Sequence, residues 1–274
     1  MGFNQQQFEI AFPEVRERLS QQENFQGIHL PEDITLHCFE TLPSTNQKLW
    51  ELLNQGATTG TLVIATQQTA GRGQWGRQWQ SSPGGLYLSV GLAPNLPASN
   101  SAQLTMCSAW GITCALRSYD IPVFLKWPND LLLLGRKLGG ILTETRVHQD
   151  QITKAVVGVG INWNNHVPES GITLHSFCEE QLHPAIASLE MLAAIVIQGL
   201  YFGYQRWREQ GIEILLSSYL KLLDSQGRQV MVDGTPGMIT GVTPSGELRI
   251  CLNSTATARE ICLKPGTISL GYRW

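Results

Sequence analysis

Charge is scarce in this chain. Of 274 residues only 15% are charged, the net balance is −3, and no run of like charges stands out. A surface that neutralises a phosphate backbone needs a basic stripe, so genome binding is disfavoured from the outset. Cysteine is thinly spread as well. Cys38, Cys107, Cys114, Cys178, Cys251 and Cys262 form no CxxC pair, a pattern that fits free buried thiols in a reducing compartment. No apolar stretch reaches membrane-spanning length unbroken. The longest, Ile186 to Tyr204, is interrupted by Ser188, Glu190, Gln198 and Gly203 and reads as a core helix. The N-terminus, MGFNQQQFEIAFPEVRERLS, lacks the basic start and apolar centre of a signal peptide. These absences point to a cytoplasmic protein with neither membrane nor nucleic acid as partner. Oligomeric state, monomer or homodimer, stays open.

What is present is ample apolar material: 42% of residues, enough for a sizeable core. Phe8, Phe12, Val15 and Leu19 space out one short N-terminal helix. Strand alternation begins at Thr35-Leu-His-Cys-Phe39. Ser44-Thr-Asn46 then opens a helical stretch, Gln47 to Asn54, that ends near Gly56. Strands are expected at 61–66 and 86–92, separated by a Gly/Arg/Trp loop over 70–85, and a helix at 101–119. A short strand, 123–127, ends in a Pro-Asn-Asp turn, and 131–134 with 137–146 reads as a hairpin about Gly135. A strand at 155–162 precedes two helices, about 184–209 and 211–223. Beyond Ser225, short strands at 229–232, 237–242, 247–252 and 259–262 alternate with Asp-Gly, Pro-Ser-Gly and Asn-Ser turns, the pattern of a small β barrel or sandwich. The fold class is therefore α+β followed by a small β domain.

Gly71-Arg-Gly-Gln-Trp-Gly76 matches GxGxxG formally and follows a strand, but Arg77 to Pro83 does not open a helix, as a dinucleotide site requires. The same glycines suit a loop that folds over an anion, with Arg72 and Arg77 as donors; a solvated turn is the plainer alternative. Two further segments bear on the choice. Lys126-Trp-Pro-Asn-Asp130 sets a cation at a strand end beside a rigid turn, and Arg136-Lys-Leu-Gly-Gly-Ile-Leu142 sets Lys137 beside small residues. Taken singly, these are ordinary turns and surface lysines. His175, Cys178 and His183 lie near one another, but three ligands at irregular spacing make a poor zinc site.

In order and spacing, Ala70 to Trp79, Lys126 to Asp130, Arg136 to Leu142 and Val157-Gly-Val-Gly-Ile-Asn162, with Ser44-Thr-Asn46 upstream, resemble the signature segments of biotin protein ligases over about residues 36–270. The resemblance implies a mixed-sheet, class II synthetase-like catalytic domain at 36–224, an SH3-like β-barrel at 225–274, and an extension at 1–35. It implies ATP and Mg2+ as cofactors, biotin as substrate, and the biotin carboxyl carrier protein of acetyl-CoA carboxylase as partner. Biotin would lie against Ser44, Thr45, Asn46, Gln68, Gly71, Arg72, Lys137, Gly158 and Gly160. The nucleotide would lie against Arg72, Gly73, Gln74, Arg77, Trp79, Lys126, Asn129, Asp130, Lys137 and Asn162, with Arg72, Lys126 and Lys137 catalytic. Trp75, Trp79 and Trp127 are candidates to cover biotin or adenine. Asn129 and Asp130 would hold their loop or help bind metal-nucleotide, and no metal ligands are assigned. Gln74 departs from the family, whose loop usually carries a third arginine there. A lipoate or octanoyl transferase of related fold and a non-catalytic biotin-binding module are the competing readings.

Overall fold

Alternation along the buried strands decides the architecture of the computed structural model, which describes residues 2–27, 34–180, 185–252 and 259–271. The strands β1 (Thr35–Leu42), β2 (Thr61–Gln68), β3 (Leu86–Leu92), β4 (Leu96–Pro97), β5 (Val123–Lys126), β6 (Asp130–Leu133), β7 (Arg136–His148) and β8 (Gln151–Ile161) form one sheet. Its order is β1-β2-β3-β8-β7-β6-β5, with β4 on β8. Only β1 and β2 run parallel. That pairing needs a crossover, supplied by helix α2 (Thr45–Asn54). Among the described residues the other α-helices are α1 (Gln5–Ser20), α3 (Ser101–Arg117), α4 (Leu174–Glu179) and α5 (Leu189–Leu222).

Side chains two apart share a face of a strand, and the two faces of this sheet are unlike. Leu62, Ile64, Leu86, Leu88, Val90, Ile141, Val157, Val159 and Ile161 enter the main core. Val63, Ala65 and Val156 face the other way, onto Leu49 and Leu53 of α2. The run Val157-Gly-Val-Gly-Ile thus reads plainly: its apolar residues point into the core, and Gly158 and Gly160 leave the opposite face bare. Each fully buried Leu or Val there stabilises the fold by about 1.5–3 kcal/mol relative to exposure.

On the main core face, α3 and α5 cross at backbone distance. A Cβ on Gly111 would lie 2.1 Å from the Gly199 carbonyl oxygen, and one on Gly203 2.0 Å from that of Cys107. Helix α1 lies on α5, its Phe8, Val15 and Leu19 in the same core. The contact is pinned by Glu190 accepting from Asn4 N–H at 2.8 Å and Gln198 donating to the Phe12 carbonyl at 2.9 Å.

The closing region is a second sheet, an antiparallel meander of β9 (Gln229–Val232), β10 (Thr235–Val242), β11 (Leu248–Leu252) and β12 (Arg259–Leu263). Val232, Ile239, Val242, Leu248 and Ile250 of its strands join the main core.

Several boundaries differ from expectation. β8 begins at Gln151 rather than Ala155, because β7 and β8 remain paired out to His148 and Gln151. The two helices expected near the end are there, meeting at Gly211, whose φ 79° and ψ 175° are not helical. β4, a two-residue strand, was not foreseen. The Asn253-Ser254 turn and residue 184 lie outside the described residues.

Candidate active site

The bare face of the sheet floors a cavity of about 180 Å³. Its polar end is the first turn of α2. Ser44 caps that helix, its hydroxyl accepting from Gln47 N–H, a contact worth about 1 kcal/mol in typical helices, and it lines the cavity as well. The helix-cap reading of Ser44-Thr-Asn therefore holds, and Ser44, Thr45 and Asn46 all border the cavity. Gln68, at the end of β2, accepts from Thr45 N–H at 2.8 Å and from its hydroxyl at 3.2 Å, and donates to Ser81 Oγ at 2.8 Å. Ser89, fully buried in β3, donates to Asn46 Oδ1 at 2.6 Å, and its Oγ lies 2.8 Å from Thr45 Oγ1. Asn46 in turn donates to the Leu142 carbonyl and to Glu144. A Cβ on Gly158 would sit 2.3 Å from Asn46 Oδ1, so only glycine admits this asparagine.

The glycine loop folds back on itself rather than opening a helix. Arg72 bridges Gln78, and Gly73 N–H donates to the Arg77 carbonyl at 2.7 Å. This brings Trp79 against the floor, where a Cβ on Gly160 would stand 2.5 Å from the indole. Among the described residues, Trp79 Nε1–H is buried without an acceptor and Gln74 Oε1 without a donor. Buried polar atoms are seldom left unpaired, and both residues face the cavity.

Cations close the other end. Lys126, at the end of β5, is 6% exposed. Burial pushes its ammonium down from 10.5 to about 8, with Lys137 adding to the fall and Asp130 opposing it. Asp130 stands across from it in the β5–β6 hairpin, 4.0 Å from Lys126 Nζ and 2.6 Å from Lys137 Nζ. Lys137 Nζ also sits 5.2 Å from the Trp79 ring centre. Arg72, from the loop, reaches Glu144 of β7 through both terminal nitrogens, at 3.0 and 3.1 Å.

The cavity thus gathers Ser44, Thr45, Asn46, Gln68, Arg72, Gly73, Gln74, Arg77, Trp79, Lys126, Asn129, Asp130, Lys137, Gly158 and Gly160. Gly71 and Asn162 do not line it. Gly71 shapes the loop: its carbonyl accepts from Trp79 N–H at 2.9 Å, and a Cβ would meet the Trp79 carbonyl at 2.4 Å. Asn162 holds the Lys137 carbonyl at 3.1 Å and borders an adjoining hollow with Trp79 and Lys137. Asn129 holds its loop, donating to the Ile141 carbonyl at 2.7 Å. Trp127 and Trp75 border the cavity as well: Trp127 is otherwise buried in the core, its indole N–H donating to the Gly246 carbonyl at 2.9 Å, while Trp75 is exposed with φ 53° and rests on Gly266.

Three groups escaped the sequence reading. Glu144 and Ser89 sit among ordinary strand residues. Gly266, Ile268, Ser269 and Leu270, far along the chain, form one wall of the cavity. As for zinc, His175 packs on Trp163 and pairs with Glu179, burial raises the Cys178 thiol, and His183 lies outside the described residues.

A half-enclosed cleft with a polar end at α2, where Arg72 rests on Glu144, and two lysines at the other end suits a small molecule with an anionic tail. Residues 38–162 match the biotin/lipoate A/B protein ligase family. The bifunctional ligase/repressor BirA of Bacillus subtilis (strain 168) is 31% identical over 222 residues, 78% of this chain and 68% of that protein. The biotin–[acetyl-CoA-carboxylase] ligase of Paracoccus denitrificans is 35% identical over 122 residues, 43% of this chain and 50% of that protein. The biotin protein ligase of Aquifex aeolicus in complex with biotin and ATP superposes with a TM-score of 0.67 at 27% identity, over 83% of this chain and 95% of that one. The chain belongs to the biotin protein ligase family.

Proposed function

We propose that the chain activates biotin with ATP and transfers it to one lysine of the biotin carboxyl carrier protein of acetyl-CoA carboxylase. The observation that carries this reading is the meeting of Arg72, Lys126 and Lys137 in one cavity with Ser44, Thr45 and Gln68. A carboxylate is a poor electrophile, so it must first acquire a leaving group. A biotin carboxylate oxygen attacks the α-phosphorus of ATP, the bond to pyrophosphate breaks, and biotinyl-5'-AMP forms. The carrier's lysine amine then adds to the acyl carbon, AMP departs with the C–O electron pair, and the new amide loses its proton to solvent. The protein's part is positioning and charge neutralisation.

In this assignment the ureido ring, with one acceptor and two donors, lies against Ser44, Thr45, Asn46 and Gln68 over Gly158 and Gly160, with Gly71 shaping the loop above. Arg72, Lys126 and Lys137 take the carboxylate and α-phosphate. Gly73, Gln74, Arg77 and Trp79 cover the nucleotide, while Asn129, Asp130 and Asn162 hold the lysine-bearing strands. Magnesium does not fit as a resident ion here: Asp130, the carboxylate of the cavity wall, is already engaged by both lysines. It is assigned instead to the triphosphate on which it arrives.

The same reading takes 36–224 as the catalytic domain, 225–274 as the SH3-like domain and 1–35 as an extension. With a net charge of −3, and no helix among the described residues long and apolar enough to cross a membrane, we place the protein in the cytoplasm without nucleic acid as a partner. The test is mass spectrometry of a carrier incubated with the protein, ATP, magnesium and biotin. The carrier gains one biotinyl group only when all components are present; an unmodified carrier that another biotin ligase can modify overturns the reading. Replacing biotin by lipoate in ATP–pyrophosphate exchange separates the related lipoate chemistry.

A further inference from the structure

We infer that Glu144 is a positioning residue for adenylate formation, holding the Arg72 guanidinium over the cavity before substrate arrives. The inference rests on the proposed role of Arg72. Glu144 projects from β7 on the cavity side of the sheet but does not itself line the cavity. Its carboxylate receives both terminal nitrogens of Arg72, at 3.0 and 3.1 Å. It also receives two neutral donors from α2: Asn46 Nδ2 at 3.0 Å and Trp50 Nε1 at 3.3 Å. Those two contacts fix the carboxylate independently of the arginine. A loop residue with a 45% exposed side chain is thereby tied to a rigid strand and helix.

The two-pronged contact uses two of the five N–H donors of a guanidinium and leaves the others for an anion in the cavity. An arginine left to sample solvent would have to be ordered at each turnover. One already held is pre-organised, which is where much of the benefit of a positioned donor arises. The contact also joins the arginine to the polar wall. From Glu144 the hydrogen bonds run through Asn46 to Ser89, Thr45, Gln68 and Ser81.

The test is biotin-dependent pyrophosphate release from wild type, Glu144→Gln, Arg72→Ala, Arg72→Lys and the double variant Arg72→Ala/Glu144→Gln, without carrier. Glu144→Gln is expected to lower kcat/KM for biotin about tenfold, within the range for one charge-assisted hydrogen bond. Arg72→Lys, which keeps the charge but loses the fork, is expected to fall with it. Glu144→Gln should add no further loss in the Arg72→Ala background, because the two residues act as one unit. A loss transmitted through Asn46 or Trp50 would persist in that background and overturn the inference. So would wild-type rates from Glu144→Gln or Arg72→Lys when Arg72→Ala is impaired. Full activity of Arg72→Ala would remove the assigned role of Arg72 itself, and the positioning role with it.

Discussion

Replacing Lys137 by alanine separates chemistry from folding. Its ammonium lies 2.6 Å from Asp130, with a side chain 27% exposed. Removing one partner of a fully buried pair costs about 3–5 kcal/mol, but Asp130 keeps Lys126 at 4.0 Å, and the lost ammonium was partly solvated. A stability loss of about 1–2 kcal/mol is the expectation, a fall of only several degrees in Tm for a chain this size. Catalysis should suffer far more. A donor aimed at charge that develops in the transition state is worth about 10²- to 10³-fold, so pyrophosphate release with biotin and ATP should nearly vanish. Lys126 shifts too: Lys137 helps depress its ammonium, so in the variant Lys126 holds its proton to higher pH. Single-turnover pyrophosphate release and a melting curve on the same sample decide the matter. A folded Lys137→Ala protein with normal pyrophosphate release refutes the assignment.

Gln74→Arg should hold biotinyl-adenylate about 10- to 100-fold longer, since Gln74 faces the cavity with a buried unpaired oxygen and an arginine would supply a charge-assisted bond; equal off-rates from the two proteins count against this. Gly158→Ala should weaken biotin binding and cost about 1–3 kcal/mol of stability, because its methyl meets an Asn46 already fixed by Ser89, Leu142 and Glu144; biotin titration and thermal unfolding check it, and wild-type values in both rule it out. Lys126 gives a pH signature of opposite signs. With its folded pKa down near 8 from 10.5, charged Lys126 costs stability below pH 8, and that cost fades as pH climbs toward 10.5. Adenylation without carrier should fall as pH rises through 8 while this contribution to stability grows; Lys126→Met should lose both trends, and a flat kcat/KM profile in wild type contradicts the role.

Much of the site was legible because its residues are unusual in their strands. Two glycines alternating with valines, a lysine closing a strand before Pro-Asn-Asp, and a Ser-Thr-Asn cap each break the local pattern for a reason the fold supplies. Glu144 breaks no pattern, since a glutamate in a half-exposed strand looks like any solvated side chain until Arg72, Asn46 and Trp50 are seen around it. Ser89 sits in an apolar run and shows its use only when α2 lies on top. Gly71 and Asn162 were assigned to the ligand but serve the loop and Lys137. The break at Gly211 was legible as the gap between two helices, because glycine alone reaches a φ of 79° with ψ 175° without strain.

The segment after β12 supplies Gly266, Ile268, Ser269 and Leu270 to the cavity, and Trp127 ties the neighbouring sheet down through Gly246. A nascent polypeptide still short of those positions would have its reaction chamber open on one side, where bulk water can hydrolyse an acyl anhydride. That side of the cavity is closed only once the segment after β12 has been made and folded.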